Sequence, residues 1–130
     1  MNKTVKTLWI EALRGKRFKQ GRDYLRDKDT YCCLGVLCEL AVDAGVILRF
    51  GDSHTPGGEA EYGTLRDTSA VVLPRAVALW AGLEASNPVV RIPGFSKDGT
   101  KHSYAPWSLS DLNDHGRTFD EIATFIEEQL

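Results

Sequence analysis

TYCCLGVLCEL, Thr30–Leu40, places three cysteines within seven residues, and its reading decides the fold. A zinc site takes about four nitrogen or sulfur ligands in a tetrahedron, usually from C-x2–4-C pairs. Here Cys32 and Cys33 are adjacent, and four residues separate Cys33 from Cys38. At about 100° per helical residue, Cys33 and Cys38 diverge by roughly 140° and Cys32 and Cys38 by roughly 120°. The three cannot share one ion from a single helix, and no second cysteine pair exists. No metal site is therefore expected. The same geometry crowds Cys33, Val36, Leu37, Leu40 and Ala44 onto one face, widened by Leu34, Cys38 and Ala41. Gly35, Glu39 and Asp43 form the only polar stripe, with Cys32 beside it. A helix this apolar belongs at the centre of a core, and cysteine is among the residues most often buried. The pattern predicts a helix from near Thr30, capped by Asp29 or Thr30 and closed at Gly45, with Cys33 and Cys38 as packing residues.

Cys32 is the catalytic candidate within this helix. It would lie in the first turn, where the helix dipole and free N–H groups favour a thiolate. A cysteine nucleophile also needs a base, and His54, His102 and His115 are all distant in sequence and outside any catalytic motif.

Outward from this helix, the chain alternates helical and extended patterns. Val5, Leu8, Trp9, Ala12 and Leu13 follow an amphipathic helical spacing that stops at Gly15. Residues 16–29 are polar and turn-prone, and VILRF (46–50) reads as a strand. LPRAVALWAGL places Pro74 at a first helical position, with Leu73, Ala76, Val77 and Trp80 inward and Gly82 as the stop. Residues 88–93 and 101–107 read as strands joined around Asp98-Gly99, and SLSDLND as one short helical turn before Gly116. Thr118 and Glu121 form a capping box for a last helix with Phe119, Ile122, Ala123, Ile126 and Leu130 on one face. The fold class expected is α+β: a single domain over residues 1–130, about four helices packed on a small antiparallel sheet.

The chain has 130 residues, 42% hydrophobic and 26% charged, a composition that supports one core. No apolar run reaches the length of a membrane span, and the N-terminus lacks the apolar stretch and cleavage site of a signal peptide. Three clustered cysteines do not make a secreted disulfide framework, so a reducing cytoplasm is expected. Net charge is −2, unevenly spread: residues 1–28 hold nine Lys/Arg against three acids, a net of +6, leaving −8 on the rest. Such a split marks either an anion-binding end or a solvated basic face.

GKRFKQGR (15–22) is the foremost binding candidate. Its glycines let backbone N–H groups face an anion, while Lys16, Arg17, Lys19, Gln20, Arg22 and the nearby Arg26 supply charge and forked donors. The G-x4-G-K-[ST] order of a P-loop is absent. A small phosphorylated ligand or an acidic protein surface fits it. Duplex DNA does not, because the body would repel it. Asn113, Asp114 and His115 meet at a turn, where turn-forming chemistry or a polar site would explain them. Asp52, His54, Glu59 and Glu61 are hard-metal ligand types within the glycine-rich 51–69 segment, but their spacing matches no known loop, and a mobile solvated loop is expected. Trp9, Trp80 and Trp107 read as core aromatics, with Trp107 after Pro106 also suited to a groove. The last helix resembles the first helix of a helix-turn-helix, without the recognition helix that unit needs, and is expected to close the core.

The combination LWIEALRGKRFKQGRDYLRDKDTYCCLGVLCELA, LPRAVALWAGL and LNDHGRTFDEIATFIEE resembles a family of small, mostly uncharacterised proteins encoded by bacteriophages and prophages, with a CCLGVLC-type motif. The resemblance implies a setting more than an activity: the host cell's cytoplasm, and an accessory role exercised by binding a host protein or a small nucleotide-like anion, without a cofactor. Two alternatives stand beside it. One is a small enzyme using Cys32 or the Asn113–His115 turn, and the other a virion or assembly component.

Overall fold

The computed structural model describes residues 1–51 and 60–130. Helix α1 (Lys3–Arg14) starts on Asn2, whose side chain accepts the Val5 N–H at 3.0 Å. It buries Val5, Trp9, Ile10 and Leu13. Ile10 thus replaces Leu8, which is exposed, so the buried stripe is rotated from the one expected.

The stretch after α1 departs from its sequence reading. Residues 16–31 are not merely turns, and no helix begins at Thr30. β1 (Lys19–Gln20), β2 (Arg26–Asp27) and β3 (Thr30–Tyr31) form a small sheet in the order β1-β3-β2, with β1 parallel and β2 antiparallel to β3. The backbone accounts for the difference. Tyr31 C=O accepts from Gly21 N–H at 2.7 Å, and Cys32 N–H donates to Leu25 C=O at 3.3 Å, so residues 31 and 32 are held by the sheet.

Helix α2 (Cys33–Asp43) therefore begins at Cys33, with Cys32 as an N-cap whose side chain makes no capping bond. Every residue from Cys33 to Glu39 is buried. The mid-helix glycine has a steric reason: a Cβ on Gly35 would lie 1.7 Å from the Leu25 carbonyl oxygen. The 22–25 segment thus crosses α2 at backbone contact. Trp9 closes the other side, its indole N–H donating to Cys33 C=O at 2.9 Å.

β4 (Leu48–Phe50) matches the expected strand and pairs with β5 (Glu61–Thr64), which pairs with β6 (Asp67–Ser69), all antiparallel. The second half of the segment expected to be a mobile loop is therefore a hairpin. Gly63 sits at φ 150, where an added Cβ would meet Asp67 C=O at 1.9 Å, so a glycine that reads as a loop residue is a strand requirement. Of the proposed metal ligands in that segment, Asp52, His54 and Glu59 lie outside the described residues. Glu61 is exposed on β5.

α3 (Arg75–Ala81) has Pro74 as N-cap, one position earlier than expected, and ends at Gly82 in a left-handed conformation. β7 (Val89–Phe95) and β8 (Lys101–Ser108) form the expected hairpin, with one irregularity between Ile92 and Gly94. α4 (Leu109–Asp114) is capped by Ser108, and α5 (Phe119–Gln129) by the full Thr118–Glu121 capping box. α5 packs on α1 and β7, and α2 touches α1, α3 and α4. Among the described residues the result is one α+β domain of five helices and three small sheets, with α2 packed between α1, α3 and α4. No helix among the described residues is long and apolar enough to cross a membrane.

Candidate functional site

α4 ends at Asp114, and the chain reverses through His115 and Gly116 into the α5 cap. This places Asn113 inward, 1% exposed, at the meeting point of three elements. Its Oδ1 accepts from Cys33 N–H at 3.1 Å and from Gln20 Nε2 at 2.9 Å. Its Nδ2 donates to Gly21 C=O at 2.8 Å and to Asp114 Oδ1 at 3.1 Å. Asn113 therefore supplies the first-turn N–H partner that Cys32 does not. Gln20 is equally committed: Nε2 also donates to Arg117 C=O at 2.8 Å, while Oε1 accepts from Phe119 N–H at 3.2 Å. Two side-chain amides, Asn113 buried and Gln20 half-buried, thus satisfy backbone groups at the starts of α2 and α5, where the helix itself offers no partner.

This junction unites two candidates that are about 90 residues apart in sequence. Gln20, Gly21, Arg22, Asn113, Gly116 and Arg117 line one cleft of about 180 Å³. Both residues of the amide network, Gln20 and Asn113, thus share the cleft with Arg22 and Arg117. Asp114 is tied down by Asp23 N–H, which donates to Oδ1 at 3.0 Å. His115 is exposed; its Nδ1 lies 2.9 Å from Asp111 C=O and must carry the proton, leaving Nε2 as the open nitrogen. Its ring stands edge-on to Trp107 at 5.4 Å. Trp107 is half-buried and donates its indole N–H to Phe95 C=O at 3.1 Å.

The six basic-stretch candidates divide by environment. Lys16, Lys19 and Arg22 are exposed and, among the described residues, form no ion pair. Arg17 pairs with Asp43 at 3.3 Å and lies over the Phe18 ring, tying the stretch to the end of α2. Gln20 is the structural amide just described. Arg26 is drawn inward, its Nε donating to Lys28 C=O and its guanidinium lying over Tyr31.

Cys32 is 3% exposed. Burial pushes its thiol up to about 11, outweighing the N–H groups of Gly35 and Leu34 that act to lower it. The thiolate expected from the helix dipole is thus opposed by desolvation. Cys33 and Cys38 are also buried, with thiols raised well above their ordinary range by the same cause. No group of three or more His, Cys, Asp or Glu among the described residues is arranged to hold a metal ion.

A second charged cluster escaped the sequence reading. Glu39, on the polar stripe of α2, is buried rather than solvated. Its Oε1 lies 2.7 Å from Arg49 Nη1 and 4.0 Å from Arg26 Nη1, and accepts from the Tyr31 hydroxyl at 3.2 Å. Tyr62 stands directly across from Arg49 on the β4–β5 ladder, 0% exposed, and its hydroxyl has no hydrogen-bond partner among the described residues. The available signal was Glu39 itself: a carboxylate on so apolar a helix requires a cationic partner from elsewhere in the chain.

These features define an α+β domain with a polar junction at the N-terminus of the central helix α2 and a buried ion-pair cluster around Glu39 on its flank. Residues 1–130 match a family described as a domain of unknown function, DUF8296, and the chain belongs to that family. No curated protein and no solved structure matches it significantly.

Proposed function

We propose that this domain is a non-enzymatic accessory protein of bacteriophage origin that binds a small anionic, nucleotide-like ligand at the Arg22–Arg117 cleft. In the host cytoplasm, such binding would serve to counter a host defence, either by sequestering the ligand or by engaging a host protein through the same basic face. The observation that carries this reading is the convergence of the basic stretch and the Asn113 turn on one cleft of about 180 Å³. Gly116 leaves open space where a side chain would stand, and Arg22 and Arg117 supply forked donors suited to phosphate oxygens. Lys16 and Lys19, both exposed, extend the positive surface nearby. Arg117 already contacts Glu121 at 2.9 Å, but that pair is solvent-exposed, and an incoming phosphate competes with it at little cost. Thermal melts with inorganic phosphate and with nucleotides test the reading. A saturable stabilisation that falls by about tenfold in apparent affinity in Arg22→Ala and Arg117→Ala is expected from the loss of a charge-assisted contact. Unchanged melting with every probe would remove it.

A different observation favours the virion or assembly reading. Val42, Val46, Ile47, Leu48 and Leu65 line an apolar groove of about 530 Å³. Leu48 and Leu65 are 57% and 88% exposed there, an apolar display suited to self-association. Sedimentation velocity of the wild type and Leu65→Asp decides it. Oligomers dispersed by the substitution would support this reading, and a monomer at about 100 μM would end it.

The enzyme alternative has no comparable support, since Cys32 is buried with its thiol raised to about 11, and both ends of the Asn113 amide are taken up in hydrogen bonds to Cys33, Gln20, Gly21 and Asp114.

A further inference from the structure

We infer that Arg49, Arg26 and Tyr62 form a second site, separate from the Arg22–Arg117 cleft, that takes a small oxyanion against the sheet face of α2. Three observations place it. First, the cluster contains two guanidinium groups and one carboxylate, and all the contacts to that carboxylate fall on Glu39 Oε1. Among the described residues neither arginine pairs with any other carboxylate, which leaves the cluster an excess positive charge. Second, Arg49 spends one terminal nitrogen on Glu39 and, among the described residues, makes no other side-chain hydrogen bond. Its side chain is 39% exposed, which leaves an approach from solvent. Third, on the residue directly across from Arg49, the Tyr62 hydroxyl is fully buried and has no partner among the described residues. Cross-strand partners hold their Cβ atoms about 5 Å apart, so one bound group can reach both side chains.

A buried hydroxyl with no partner is costly, and proteins rarely leave one unsatisfied. An oxyanion between Arg49 and Tyr62 would accept the phenol proton in a hydrogen bond and engage the free guanidinium nitrogens in the forked geometry that arginine favours. It would also balance the excess charge. Burial and the nearby Glu39 carboxylate both raise the Tyr62 hydroxyl above its ordinary range, so the phenol remains a donor. Carboxylate and phosphate share this chemistry.

The test uses the full chain and two probes, acetate and inorganic phosphate, each titrated against chloride at equal ionic strength. The wild type should show a saturable rise in melting temperature with at least one probe. Tyr62→Phe removes only the orphan hydroxyl, so without a probe it should melt at the same temperature or higher. With the probe its apparent affinity should fall by about tenfold. Arg49→Gln should lose the response as well, whereas Arg22→Ala should retain it. A wild type indifferent to both probes overturns the inference. So does a response that survives Tyr62→Phe and Arg49→Gln, or one that disappears with Arg22→Ala and therefore belongs to the cleft.

Discussion

Single residues decide more of this fold than their chemistry advertises. Gly35 interrupts an apolar helix and offers no side chain to the core, yet it lets the Leu25 backbone rest on α2. In Gly35→Ala the new Cβ would fall 1.7 Å from a backbone oxygen and 2.6 Å from its carbonyl carbon, and neither can rotate away. The expected loss is about 3 kcal/mol, the upper range for overpacking a core. Gly45 is the informative control. It adopts φ +75 with nothing within 4 Å of its would-be Cβ, so Gly45→Ala carries only left-handed strain, about 1 kcal/mol. Urea denaturation of both variants should separate the two costs. Equal midpoints would mean that the Leu25 segment moves aside and does not define the helix. Asn113 makes the same point for polar groups. It reads as a turn residue in sequence, and the turn is real, but its amide also serves two backbone positions far away in the chain.

At the scale of elements, what could be read from sequence was whatever is local. The α5 capping box needs only residues 118–121, and the structure contains it in full. Thr118 Oγ1 accepts from Glu121 N–H at 3.1 Å, and Glu121 Oε1 accepts from Thr118 N–H at 3.2 Å. The Thr118 N–H and the Arg117 guanidinium hold the Glu121 carboxyl below its ordinary range. Thr118→Ala should therefore cost about 1 kcal/mol by chemical denaturation and Thr118→Ser much less. Similar losses in both would mean that the hydroxyl bond contributes nothing. The β7–β8 hairpin and α3 were legible for the same local reason. The start of α2 was not. Thr30 and Tyr31 could begin a helix by pattern, but their backbone is claimed by residues 19–27, a pairing no window over 30–45 contains. The hairpin within 61–69 was hidden because Gly63 carries the mark of a loop while meeting a packing demand from Asp67. The candidate cleft was half legible: both of its sides were singled out, but nothing in the spacing of residues 20 and 113 says that they touch.

Across the whole molecule, the buried acidic protons set the upper limit of stability. Cys32, Cys33 and Cys38 are all buried, and desolvation raises each thiol above its model-compound value of 9.0, Cys32 to about 11. Tyr62 is raised for the same reason. In the unfolded chain these thiols ionise near pH 9, while in the folded chain they keep their protons to higher pH. Above that point the unfolded state binds fewer protons than the folded one, so stability falls as pH rises. The contribution is complete below pH 9 and is lost as pH climbs through the folded values. Each thiol titrating only in the unfolded state costs about 1.4 kcal/mol per pH unit, so three together give a steep alkaline limb. Following the cysteine 13Cβ chemical shifts together with helical circular dichroism from pH 7 to pH 12 checks this. Thiolate should appear only as helix disappears, in one transition above pH 9. A thiolate signal near pH 8 with the helices intact would show that at least one cysteine, Cys32 foremost, reaches solvent. It would then restore the reactive-thiol reading that burial now opposes.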